Sequence, residues 1–314
     1  MSKNFISLAA GMAMIGGVAM SDTPKVAVDI SPVHSLVSRV MLGVGTPDLI
    51  VQAGASPHGY TLRPSEAKAL QDAQMVFWMG ESLSPWMEGA LDTLSSDATI
   101  ITLLERDETI LLEFREGAMF EEHDHDDHGD EKHDDHGDHE DHGSHDPHAW
   151  LSPDNARIWL NLIASQLSIV DPENAGTYFA NAAAARSEIE ALTIEVNILL
   201  EPVRDKKFIV FHDAYQYFEK AFDLSASGAI SLGDASKPSP ARIAEIQGRI
   251  LEESIDCVLS EPQFNKGLVA TVMAGSKAKT SVIDPLGVGL KPGPDLYSEL
   301  IRNMTKTLVD CFES

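Results

Sequence analysis

The sequence predicts an α/β protein of two similar lobes with mainly parallel sheets, joined by one long rigid helix. Three observations predict it. Short β-rich apolar runs alternate with helical patterns, the order that builds parallel sheets. The set occurs twice, before about residue 120 and after about residue 205. Between the halves, Asp171 to Val203 keeps helical spacing, with prolines only near its two ends.

Residues 1–22 come first. One lysine precedes an apolar Ala/Gly/Met-rich run that turns polar at Ser21. This is the layout of a secretory signal peptide, with Gly17 and Ala19 as the small residues before a cut after Ala19. The run is too short and small-residued for a membrane span, and it holds no cysteine for a lipid anchor. The chain is therefore expected to be exported. Residues 23–170 then form the N-terminal lobe, 171–203 the linking helix and 204–314 the C-terminal lobe.

The strands expected in the first lobe are Lys25 to Ile30, Asp48 to Val51, Met75 to Gly80 and Ala98 to Leu103. Those of the second are Lys207 to Phe211, Cys257 to Glu261 and Thr280 to Asp284. Pro64 to Ala73 and Pro240 to Glu253 read as helices between strands, and Asp154 as a helix N-cap. The linking helix starts at Asp171-Pro172-Glu173, an N-cap acid followed by proline at the first helical position. Tyr178, Phe179, Ala182, Ile189, Leu192, Val196 and Leu199 recur along it at helical spacing. About thirty residues make a rod of roughly 45 Å.

The net charge is −26. Glu121 to Asp146 holds thirteen acidic residues against one lysine. Such a chain repels nucleic acid and anionic membranes and attracts cations. The same segment, 121–146, contains His123, His125, His128, His133, His136, His139, His142 and His145. It has no apolar face, so it is expected to be disordered without metal and to offer weak, interchangeable metal sites. Three roles stay open for it: an antenna that gathers metal, a sensor of metal excess, and a solvated spacer.

Cys257 and Cys311 are the chain's two cysteines. In an oxidising compartment they pair, or they stay as two buried thiols. A pair would close a loop of about 55 residues and stabilise by roughly 4 kcal/mol.

Outside the tract, the histidines are His34, His58, His148 and His212. His58 follows a strand, His212 ends one, and Asp284 closes a third. In open α/β sheets ligands bind beyond the carboxyl ends of strands. His148 lies in "DPHAWLSP", just past the tract. Three imidazoles and a carboxylate suit a divalent ion such as zinc. Each residue taken singly also reads as a turn or cap residue.

The motifs "HGYTLRPS", "DPHAWLSP", "FHDAYQYF", "SEPQF" and "DPLG", in this order, resemble the metal-binding substrate-binding proteins of ABC transporters, and most of all the ZnuA-type zinc receptors. The resemblance covers the chain beyond the signal segment. It implies a metal site in the cleft between the lobes, with His58, His148 and His212 as ligands. Histidine at the third position, where manganese members usually carry glutamate, implies Zn2+. Asp284 matches an aspartate that is a direct ligand in some members. Some zinc members carry glutamate just before the first histidine; here that residue is Pro57, so the fourth ligand is Asp284 or water. The paired cysteines and the His/Asp-rich insertion also resemble zinc members. The implied function is delivery of Zn2+ to an inner-membrane ABC permease by a monomer that performs no chemistry.

Glu261 is expected to orient a histidine through its other ring nitrogen. His34 is expected to be structural, Arg63 a structural ion-pair former, and Trp78, Trp86 and Trp150 core or cleft-wall residues. Three rivals remain: a manganese or iron receptor of the same fold, a metal buffer without a transporter, and a zinc hydrolase, since three histidines plus water also describe catalytic zinc.

Overall fold

The computed structural model describes residues 23–115, 120, 145–231, 238–263 and 266–313. The expected signal segment and the tract histidines His123, His125, His128, His133, His136, His139 and His142 lie outside the described residues.

The first half runs β1 (Val26–Val28), α1 (Ser31–Val40), β2 (Asp48–Leu49), α2 (Pro64–Asp72), β3 (Met75–Trp78), α3 (Pro85–Leu94) and β4 (Thr99–Thr102). Two helices follow, α4 (Pro153–Val170) and α5 (Ala175–Leu200). The second half runs β5 (Phe208–His212), α6 (Gln216–Phe222), β6 (Ala229–Ser231), α7 (Pro240–Glu252), β7 (Cys257–Ser260), α8 (Lys266–Val272), β8 (Lys279–Val282) and α9 (Leu296–Glu313). Each half holds one parallel four-stranded sheet, ordered β2-β1-β3-β4 and β6-β5-β7-β8. The two lobes therefore share one topology. Strands β1, β3 and β5 are buried along their whole length, as continuous apolar runs must be in a sheet covered on both faces. No local pattern announces β6; its three residues are held by register with Val210 and His212 of β5.

The linking element is shorter than one rod from 171 to 203. Pro172–Asn174 and Glu201–Val203 wind as 3-10 turns around the 26 residues of α5. Pro202 lacks the backbone donor that an α-helix interior needs. Asp171 does not cap through backbone N–H groups. Its carboxylate accepts from Asn174 Nδ2 and Tyr178 Oη, both at 2.7 Å. Likewise the cap of α4 is Ser152, whose hydroxyl accepts from Asn155 N, and Asp154 sits inside the first turn.

Helix α5 spans about 39 Å and buries Tyr178, Ala182, Ala185, Ile189, Leu192, Val196 and Leu200. It packs on α4, on α1 of the first lobe and on α9 of the second. One continuous core runs from Val26 and Phe77 through Trp159 and Ile189 to Phe208 and Tyr297. Buried hydrogen bonds join the lobes directly. Tyr297 N donates to Ser35 Oγ at 2.9 Å, and Trp150 Nε1 donates to the Pro285 carbonyl at 2.8 Å. A shared core and buried polar links resist a wide hinge motion. Cys257 on β7 and Cys311 on α9 form a disulfide, which staples the last helix to the second sheet. Among the described residues, no helix is long and apolar enough to cross a membrane.

Candidate metal centre

Three histidines far apart in sequence meet between the lobes. His58 lies in the loop between β2 and α2, and His212 is the last residue of β5. His148 precedes the short 3-10 turn Ala149–Leu151 that leads into α4. Each offers one ring nitrogen, and the three nitrogens lie within 4.8 Å of one another. His58 Nε2 and His148 Nε2 are 3.3 Å apart. The ring centroids of His148 and His212 are 4.8 Å apart, and those of His58 and His212 are 5.6 Å apart. Pro57, Trp150, Ala214, Pro285 and Leu286 wall the space between them. His148 and His212 are buried, and His58 is half-buried. Apolar walls of this kind exclude water and strengthen any bond to a cation.

Carboxylates stand behind two of the rings. Asp146 Oδ1 lies 2.6 Å from His148 Nδ1 and also accepts from His148 N at 2.9 Å. A carboxylate at Nδ1 fixes the proton there and leaves the Nε2 lone pair for a metal. Burial pushes the Asp146 carboxyl up to about 6, against the lowering effects of the His148 N–H and the Arg115 charge. Glu261 Oε1 lies 3.4 Å from His212 Nδ1, with both side chains buried. Its other oxygen accepts from Gln263 Nε2 at 2.6 Å. Burial first, and the Glu261 charge second, hold the Tyr215 phenol well above its ordinary range. Tyr215 thus remains a neutral O–H donor beside that carboxylate.

Three of the four residues expected as ligands are therefore together. Asp284 lies outside the group of nitrogens. Its carboxylate accepts from the backbone N–H groups of Leu286 at 3.0 Å, Gly287 at 2.9 Å and Val288 at 2.6 Å. It caps its own loop, as an aspartate before proline can. His34 is buried in the first lobe, with Nε2 at 3.0 Å from the Pro47 carbonyl. Arg63 is exposed and 3.9 Å from Glu66. Trp78 is core, Trp150 packs against His148, and Trp86 is bonded to the His58 loop.

Two features escaped the sequence. The first is the end of the tract: His145 forms an antiparallel bridge with Glu113, and Asp146 is buried. The segment set as 121–146 therefore gives up its last two residues to fixed structure. The "DPH" order held the signal for Asp146, an acid two residues before a ligand candidate. The second is Arg115, whose guanidinium bonds both Asp213 and Glu219 of the second lobe. Nothing local in the sequence pairs them.

Converging imidazoles in a walled space between two locked parallel lobes define a two-lobed metal-binding protein. The family model described as "Zinc-uptake complex component A periplasmic" (ZnuA) matches residues 26–311. The high-affinity zinc uptake system protein ZnuA of Brucella abortus is 47% identical over 330 aligned positions, covering 98% of this chain and 99% of that one. Among solved structures, a crystal structure of ZnuA superposes with a TM-score of 0.75 at 22% identity, covering 92% of this chain and 99% of that one. A substrate-binding protein, FpvC of Pseudomonas aeruginosa, solved with Mn2+, gives 0.75 at 20% identity, covering 93% and 99%. These two likenesses establish the fold. The chain belongs to the ZnuA family of periplasmic zinc-uptake components, which are transport proteins and not enzymes.

Proposed function

We propose that this chain is a periplasmic zinc receptor that captures Zn2+ between its lobes and hands it to an inner-membrane ABC permease. The observation that carries the reading is the set of three imidazole nitrogens within 4.8 Å of one another in a walled site. His58, His148 and His212 are the protein ligands, and the fourth position is taken by Asp284 or by water. Asp146 and Glu261 orient two of the rings from behind, which raises their basicity. Three nitrogen donors favour zinc over manganese, whose preferred donors are oxygens. The manganese or iron reading draws support from structures such as FpvC, solved with Mn2+. The locked lobes make capture a matter of loop adjustment rather than wide closure. The signal segment 1–22 takes the chain to the periplasm, where it works as a monomer. Histidines 123 to 142 gather or sense zinc at weaker sites, since a chain ordered only on binding loses affinity.

A titration with Zn2+ of the mature chain, and of the same chain lacking residues 121–144, tests this. One tight site should survive the deletion while the weak sites vanish, and Mn2+ should compete poorly. Affinity should drop steeply below about pH 6.5, because protons compete for all three imidazoles. A tight site lost with the tract, or an affinity flat from pH 8 to 5, would contradict the assignment.

A further inference from the structure

The helix α3 begins with Ser84-Pro85-Trp86. Ser84 occupies the N-cap position, where a serine hydroxyl ordinarily accepts a hydrogen bond from the first turn. Here it makes no cap bond. The buried Ser84 Oγ instead donates to the carbonyl of Pro57 at 3.1 Å. Trp86 Nε1 donates to the same carbonyl at 2.7 Å. A carbonyl oxygen has two lone pairs, and both are used. Pro85 between the two donors has its φ fixed by the ring, which presets their spacing.

Pro57 immediately precedes His58, so its C=O and the His58 N–H lie in one rigid peptide plane. The carbonyl end is pinned by Ser84 and Trp86. The N–H end donates to Ser56 Oγ at 3.2 Å. Beyond His58, the Tyr60 ring packs on Trp86 with centroids 5.6 Å apart. Tyr60 Oη is tied at 2.8 Å to Glu66, whose other oxygen accepts from Arg63 N at the start of α2. The half-buried histidine of the site is thus held from both sides by the first turn of a neighbouring helix. A local capping rule broken inside a well-formed helix start marks a place where function overrides propensity.

We propose that Ser84 and Trp86 are positioning residues for metal retention: they lock the Pro57–His58 peptide plane and so aim the His58 imidazole at His148 and His212. The proposal rests on His58 being a zinc ligand. The locked plane removes backbone freedom that a chain holding zinc would otherwise have to lose. Its loss should appear mainly as faster zinc release.

The test is a double-substitution cycle. Zinc dissociation constants and release rates are measured for Trp86→Phe and Ser84→Ala, in the unsubstituted chain and in a His58→Ala chain. Each single change should weaken zinc binding about tenfold, roughly one hydrogen bond, with the release rate rising to match. In the His58→Ala chain the same changes should cost nothing further, since no imidazole is left to aim. Unchanged affinity in both variants, or an equal loss with and without His58, overturns the proposal. If Trp86→Phe does not fold by circular dichroism, Ser84→Ala, one oxygen smaller, carries the cycle alone. Zinc binding unaltered by His58→Ala overturns the ligand assignment itself, and this proposal with it; failure of the cycle alone overturns only the proposal.

Discussion

Replacing His148 with alanine is expected to weaken the tight zinc site by about three orders of magnitude or more, the scale of losing a bond to a structural metal ligand. His148 is chosen over its two partners because its surroundings are the most tightly specified. It is buried, its Nδ1 meets Asp146 at 2.6 Å, and its ring packs against Trp150. The alanine variant leaves Asp146 buried beside an empty space and leaves two imidazoles to hold the ion. Asp146→Asn keeps the shape of the carboxylate and removes its charge, so it should cost only about 10- to 100-fold. Competition against a chelator of known affinity separates the two ranges. A dissociation constant unchanged in His148→Ala would remove this residue from the site.

The second large effect is on stability. Arg115→Met is expected to destabilise the protein by about 3–5 kcal/mol, the usual result of removing one partner from a buried ion pair. Arg115 Nε lies 3.1 Å from Asp213 Oδ1, and its two Nη atoms meet Glu219 at 2.8 and 3.0 Å. Both carboxylates are buried. Burial pulls the guanidinium pKa down, but the Glu219 and Asp213 bonds and charges more than reverse this and hold it above the ordinary value. Burial raises Asp213 and Glu219, and the arginine opposes that rise in both. Without the arginine their folded pKa values should climb further. A carboxylate whose folded pKa is raised contributes stability below that pKa and loses it as pH rises through it. The deficit of Arg115→Met should therefore be larger at pH 8 than at pH 5. Denaturant unfolding at the two values measures it, and a deficit that grows at low pH would refute this account. Asp213 immediately follows His212, so this ion pair also ties Arg115 to the neighbour of a proposed ligand.

How much of this was legible in the chain depends on the range of the forces involved. The seven predicted strands form because β-branched and apolar runs announce themselves within five or six residues. Along α5 the spacing of Tyr178, Ala182, Ile189, Leu192 and Val196 is equally local and these residues face the core, whereas Phe179 and Leu199, expected on the same stripe, are exposed and Ala185 and Leu200 are buried in their place. His58, His212 and Asp284 could be suspected because each follows a strand, and the motifs around His148 carried a family resemblance. The three-residue β6 could not be read, because nothing in "AIS" distinguishes a strand from a turn until β5 lies beside it.

The chain by itself determined two parallel lobes, a stiff connection between them and the short roster of imidazoles available to a cation. Tertiary structure decided which of them meet. Only when the carboxyl ends of two sheets face each other do His58, His148 and His212 come within 4.8 Å. The same packing set Arg115 against Asp213 and Glu219. It also diverted the Ser84 hydroxyl from its helix to the carbonyl before His58. The physical reason is that secondary structure follows from contacts a few residues apart. A metal centre needs atoms far apart in the chain to be brought within one coordination bond of the same ion, and only the packed core can fix that distance.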